Sequence, residues 1–197
     1  WDQIRSLYVS DADVEAEIVR AAGPGRFRRM VDLGAGTGRM LTLLASHADH
    51  AMGLDLSQQM LNIARRNVAA AGLANVELRH GDIFDTRLPD ASADLVIVHQ
   101  VLHYLGDPAA AVREAARIVG SDGRLVIVDF APHKHEFLRE QHQHRRLGFS
   151  DEEIGRWLAE AELPQVGLQA LPPTRVDGLT VKIWAACRTP TQLRSAA

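Results

Sequence analysis

A Rossmann-like doubly wound α/β sheet of seven strands, with the last strand antiparallel, is the fold class this sequence predicts. Three observations point to it. Short apolar runs alternate with helical patterns along most of the chain, the mark of βαβ units and a parallel sheet. The first of those runs ends in three alternating glycines that lead into a helix. The last two runs are separated by Pro172, Pro173 and Asp177-Gly178, turn chemistry suited to an antiparallel pair with a longer loop.

The strands are predicted over residues 30–33, 51–56, 76–79, 95–98 and 125–130, then 166–171 and 180–187. Each is too short for a stable buried helix and most are bounded by Gly, Asp or Asn. Residues 76–79 alternate apolar and polar, as an edge strand does. Helices are punctuated between them. Ser57 is an N-cap for a face of Met60, Leu61, Ala64 and Val68 that Gly72 ends. Asp107 and Pro108 read as N-cap and first residue of a helix carrying Val112, Ala115 and Val119, with Gly120 as its stop. Ser150-Asp151-Glu152-Glu153 is a capping box ahead of Ile154, Trp157, Leu158 and Ala161, and Pro164 lies beyond. Residues 1–28 read as a helical leader with Val14, Ile18 and Val19 on its apolar face, set off by Gly23-Pro24-Gly25 from a core domain over 29–197. The tail from about Thr189 is expected to fray.

Composition narrows the function. The 197 residues are 46 % hydrophobic and 24 % charged, which suits one soluble domain with a full core. A net charge of −3 provides no basic field for nucleic acid, so this chain is not expected to bind any itself. No apolar run approaches the roughly 20 residues that span a bilayer, and no signal peptide opens the chain, so a cytoplasmic location is expected. The single cysteine, Cys187, excludes internal disulfides and any multi-cysteine metal or arsenite site. The chain begins on Trp1 rather than Met, as a piece of a longer polypeptide would.

The most informative segment is Val31-Asp32-Leu33-Gly34-Ala35-Gly36-Thr37-Gly38-Arg39. Glycines permit positive φ and let a ligand approach the backbone, while a helix start offers N–H groups to an anion. A tight turn alone seldom needs three glycines in five residues. The dinucleotide fingerprint G-x-G-x-x-G fails, because its sixth position falls on Arg39 or Leu41, and no Walker lysine is present. The second strand ends in Gly53-Leu54-Asp55-Leu56-Ser57, where an acidic side chain can accept both ribose hydroxyls of a nucleoside cofactor.

Together with Gly81-Asp82-Ile83, these segments resemble the three cofactor motifs of class I S-adenosylmethionine (SAM) dependent methyltransferases, in the right order and at strand ends. The resemblance spans roughly 29–187. It implies SAM as cofactor and S-adenosylhomocysteine as product, with contacts from Asp32, Gly34, Gly36, Asp55, Leu56, Asp82, Ile83 and His99. In it Gly34 and Gly36 lie against the methionine part, Asp32 receives the ammonium, Asp55 takes the ribose, and Asp82 and Ile83 flank the adenine. Gly120-Ser121-Asp122-Gly123 stands where the family usually turns on Pro-Gly-Gly.

The acceptor side is less constrained. Strand four runs into His99-Gln100-Val101-Leu102-His103-Tyr104-Leu105, so His99, His103 and Tyr104 are candidates for a small-molecule acceptor pocket, and His99 for a general base. His133 and Glu136 are further acceptor-side candidates. No metal is expected: His133 and His135, and His142 and His144, are two apart, against the three or four that put ligands on one helical face, and only the seven-residue step from His135 to His142 matches a helical pair. The segment is expected to lie over the pocket as a polar helix. Trp1-Asp2, Ile4-Arg5-Ser6-Leu7, the His99–Leu105 run, Asp129-Phe130-Ala131-Pro132-His133 and Arg145-Arg146-Leu147-Gly148-Phe149 also resemble methyltransferase domains fused behind a winged-helix repressor of the arsenic-repressor type. The broader likeness is to quinone-biosynthesis methyltransferases. Two functions fit these residues: a methyltransferase acting on a small molecule, or a SAM-sensing module without catalysis. An open cavity beside His99–Tyr104 would favour the first. The acceptor and the oligomeric state stay open.

Overall fold

In the computed structural model, which describes residues 10–175 and 177–188, seven strands form one sheet in the order β3-β2-β1-β4-β5-β7-β6. They are β1 (Phe27–Leu33), β2 (Ala48–Asp55), β3 (Val76–His80), β4 (Ala93–His99), β5 (Val119–Phe130), β6 (Gln165–Leu171) and β7 (Val181–Cys187). The first five are mutually parallel, β7 runs antiparallel to β5, and β6 runs antiparallel to β7. Six strands therefore share a direction and β7 alone is reversed, as expected. The alternating 76–79 run is an edge strand, and β7 enters between β5 and β6.

Both faces of the sheet are covered, which is why its central strands read as unbroken apolar runs. Side chains divide by alternation. Val96, Val98, Leu125 and Ile127 join one core with Val112, Ala115, Ile154 and Trp157 from α4 (Pro108–Ile118) and α6 (Asp151–Glu160). Leu95, Ile97, Val126 and Val128 join the other with Val14, Ile18 and Ala22 of α1 (Asp11–Ala22) and Met40 and Leu41 of α2 (Arg39–Leu44). α3 (Gln58–Ala70) starts at Ser57, whose hydroxyl accepts from the Met60 N–H, and α6 starts at the complete Ser150–Glu153 capping box. The segment Trp1 to Leu7 and the tail from Thr189 lie outside the described residues.

Two sequence expectations need correction. Gly120 does not stop α4: the helix ends at Ile118 and the chain enters β5 directly at Val119, with the extra residues accommodated where Ala93 and Leu95 of β4 pair with Val119 and Arg124. The histidine-rich stretch is not one helix either. Only α5 (Phe137–His142) is helical, so helical spacing does not govern His133, His135 and His144. Among the described residues no helix is long and apolar enough to cross a membrane.

Candidate functional site

The strand order reverses direction between β1 and β4, and at that switch point the carboxyl ends of the strands open a crevice. The turn after β1 holds Gly34, Gly36 and Gly38 at φ of 74°, 52° and 80°, which L side chains adopt only at a cost. Gly34 also packs against Val101, and a Cβ there would fall 2.7 Å from Val101 Cγ2. The turn is tied to β2 by its own backbone. Gly34 and Ala35 N–H donate to the Leu54 carbonyl at 2.8 and 3.0 Å, and Gly36 N–H donates to Asp55 Oδ2 at 2.7 Å. The other Asp55 oxygen, Oδ1, accepts from Ser57 N–H at 2.7 Å. Asp55 thus fixes both the glycine turn and the entry to α3, and keeps lone pairs for a further donor on each oxygen.

Asp32 sits behind this turn, 1 % exposed, with neither carboxylate oxygen hydrogen-bonded. Burial, and secondarily the nearby Asp55 charge, push it up to about 8. A buried carboxyl without a partner is costly, and a cation arriving beside it would remove that cost.

In front of the turn lies a cavity of about 570 Å³, a size typical of small-ligand sites. Gly34, Gly36, Asp55 and Met60 line one side. Asp11, Val14 and Glu15 of α1 form another, with Arg39 paired to both carboxylates: to Glu15 through Nε and to Asp11 at 3.8 Å. His99, Gln100, Val101 and Tyr104 form the third. His99 is half-buried, and desolvation pushes it down to about 4 against the smaller opposing pulls of Asp129 and Asp11. At neutral pH it is an uncharged imidazole.

Several predicted site residues stand elsewhere. His103 does not face the cavity: it is 1 % exposed, its Nδ1 lies 2.7 Å from Asp129 Oδ1, and its ring stacks on His144 with centroids 4.1 Å apart. A polar group following an apolar strand is not always at the pocket, and here the short helical turn Leu102–Tyr104 rotates His103 inward and Tyr104 outward. His133 is half-buried beside Phe130 and His135 and does not line the cavity. Leu56, Asp82 and Ile83 also lie beyond its walls. Leu56 is 67 % exposed, Ile83 belongs to the core, and Asp82 is exposed with Oδ1 accepting from Phe84 N–H. Among the described residues no group of three or more His, Cys, Asp or Glu is placed to hold a metal ion.

Sequence reasoning missed Gln100, Arg39, Asp11 and Glu15 as lining residues, and Asp129 as the partner of His103. Gln100 was within reach, being next to His99 at the end of a predicted strand. The contact of α1 with Arg39 is between distant segments that no local pattern joins.

Residues 31–127 match the family model described as "Methyltransferase domain". YcgJ of Bacillus subtilis, an uncharacterized methyltransferase, is 31 % identical over 105 residues, covering 53 % of this chain and 42 % of its own length. Demethylmenaquinone methyltransferase of Clavibacter sepedonicus is 35 % identical over 112 residues, covering 57 % and 45 %. The chain thus spans less than half the length of these curated relatives. The crystal structure of YcgJ superposes with a TM-score of 0.76 at 18 % identity, covering 90 % of this chain and 99 % of that one. A phosphoethanolamine N-methyltransferase 2 of Haemonchus contortus, in complex with SAM, gives 0.76 at 16 % identity over 90 % and 52 %.

Proposed function

We propose that this chain, which carries a class I SAM-dependent methyltransferase domain similar to the quinone-biosynthesis subset, moves the SAM methyl group to a small acceptor seated against His99, Gln100 and Tyr104. The observation that carries this reading is the continuity of one open cavity. It runs from the glycine turn and Asp55 to the polar end of β4, with the unpartnered Asp32 buried behind. A site built only to sense SAM would need no room beside His99.

When bound, SAM supplies an electrophilic methyl group on a sulfonium. Asp32 would hold the methionine ammonium, its buried carboxyl having no other partner. Gly34 and Gly36, without side chains, let the methionine part lie against the backbone. Asp55 would accept the ribose hydroxyls with the lone pairs its backbone donors leave. Further out, Asp82 would accept from the adenine amino group, with Ile83 beside the ring and the exposed Leu56 covered by it. On the acceptor side, His99 orients the nucleophile, and in-line alignment supplies most of the rate. An imidazole held near 4 is a weak base at neutral pH, so His99 acts first as a hydrogen-bond acceptor.

The acceptor of the demethylmenaquinone methyltransferase relative makes quinone-like molecules the first class to try. The likeness of Asp129–His133 and Arg145–Phe149 to repressor fusions supports placing the domain behind a winged helix in a cytoplasmic regulator. Any DNA contact would then come from that upstream part. Calorimetry with SAM, S-adenosylhomocysteine and NAD tests the reading: the first two should bind saturably and NAD should not. NAD binding without SAM binding would end it.

A further inference from the structure

Gln100 is the one described cavity residue after β4 whose backbone is held in a conformation its residue type disfavours. Its φ is +51°, in the left-handed region. The strain is fixed by its own N–H, which donates to the Val128 carbonyl at 2.7 Å and extends the β4–β5 ladder one residue past the strand. Glycine or asparagine would hold that backbone at lower cost. The side chain is 7 % exposed, it lines the cavity, and its carboxamide makes no hydrogen bond to any described residue. A strained position whose carboxamide lines a ligand cavity points to a role for that amide in binding.

The charges around it restrict what it binds. Arg39 is the cation among the described cavity residues, and Glu15 and Asp11 already engage it. The Asp55 oxygens hold backbone N–H groups. His99 is neutral at physiological pH. Among the described lining residues an anionic acceptor would therefore find carboxylates and no cation that is not already paired. Val14, Val101 and Tyr104 line the same cavity.

We infer that Gln100 is a specificity-determining residue that recognises an uncharged acceptor bearing a hydroxyl or carbonyl, through paired donation and acceptance by its carboxamide. This rests on the reading of the cavity as a methyl-transfer site. The amide N–H₂ donates to a carbonyl or hydroxyl oxygen and the amide oxygen accepts from a hydroxyl, so an isosteric group lacking hydrogen-bonding capacity loses both.

The test uses protein saturated with S-adenosylhomocysteine and a matched pair of probes, catechol and 3,4-dihydroxybenzoate, which differ by one carboxylate. Catechol should bind, and the carboxylate should bind weaker by about tenfold or more. Gln100→Gly should weaken catechol by about tenfold while leaving S-adenosylhomocysteine affinity unchanged and Tm equal to the parent's or higher, because the backbone strain is relieved. A purely structural Gln100 would give a lower Tm and no change in catechol affinity. Equal binding of both probes, no binding of catechol to the loaded protein, or an unaltered affinity in Gln100→Gly overturns the assignment. Failure of S-adenosylhomocysteine itself to bind would instead overturn the methyl-transfer reading on which it rests.

Discussion

At the scale of single residues, Asp32 has the most to gain from a ligand. Its folded value of about 8 lies above the ordinary 3.8, so the folded protein keeps a proton that the unfolded chain releases. The associated stability is whole below about pH 4 and is lost as pH rises toward 8. A cation beside the carboxyl lowers that value again. SAM binding near pH 7 should therefore release most of one proton, seen as a calorimetric enthalpy that differs between phosphate and Tris buffers. Equal enthalpies near pH 7 would mean that Asp32 does not meet the ammonium. Asp55 carries two duties, which changes what its removal does. Asp55→Ala should weaken SAM by about 1.5–3 kcal/mol, as for hydrogen bonds to a charged group. It should also lower stability measurably, because Gly36 and Ser57 N–H both lose their acceptor. Unchanged SAM affinity would remove the ribose role. For His99, the value near 4 sets the expectation: His99→Gln should raise the acceptor KM more than it lowers kcat, whereas a fall in kcat of about 10²–10⁴ at constant KM would make it the base.

At the scale of elements, what could be read from sequence was local and what could not was a contact between distant segments. The Ser57 and Ser150 caps, the three-glycine turn and every strand were legible, because caps, turns and apolar runs are written in consecutive residues. His103 was misplaced because a single short helical turn decides which of two adjacent side chains faces the cavity. The connection from β5 to α6 shows the same divide. Ser150→Ala, a visible cap, should cost about 1 kcal/mol. Gly148, unremarkable in sequence, should cost more. Its φ is +84°, and a Cβ would sit 2.1 Å from the Ala131 carbonyl oxygen, so Gly148→Ala must push apart the chain where Phe149 N–H donates to the Phe130 carbonyl. Urea melts of the two variants should rank Gly148→Ala as the more destabilised by about 2 kcal/mol or more. The reverse order would show that this loop can shift freely.

At the scale of the whole molecule, buried and half-buried histidines set the acid limit. His99 stands at the end of β4, and His133 and His144 in the β5–α6 connection, each pushed down to about 4 chiefly by burial. His144 is 3 % exposed with neither ring nitrogen hydrogen-bonded, so a charge there would find no acceptor. Because these folded values lie below the ordinary 6.5, the unfolded chain binds protons first as pH falls. Their contribution to stability is whole above about 6.5 and is lost on the way down to about 4. Asp32 opposes them with nearly one proton over the same range, leaving a net uptake of between one and two on unfolding. At about 1.4 kcal/mol per proton and pH unit, stability should fall by about 2 kcal/mol between pH 6 and 5. Urea unfolding across that range measures the slope. His144→Gln should flatten it by about one proton and Asp32→Asn should steepen it by about one, so the two variants bracket the parent from opposite sides. A flat profile in the parent would mean that these histidines are already protonated in the fold, and with His99 charged its imidazole could no longer accept a hydrogen bond from the acceptor.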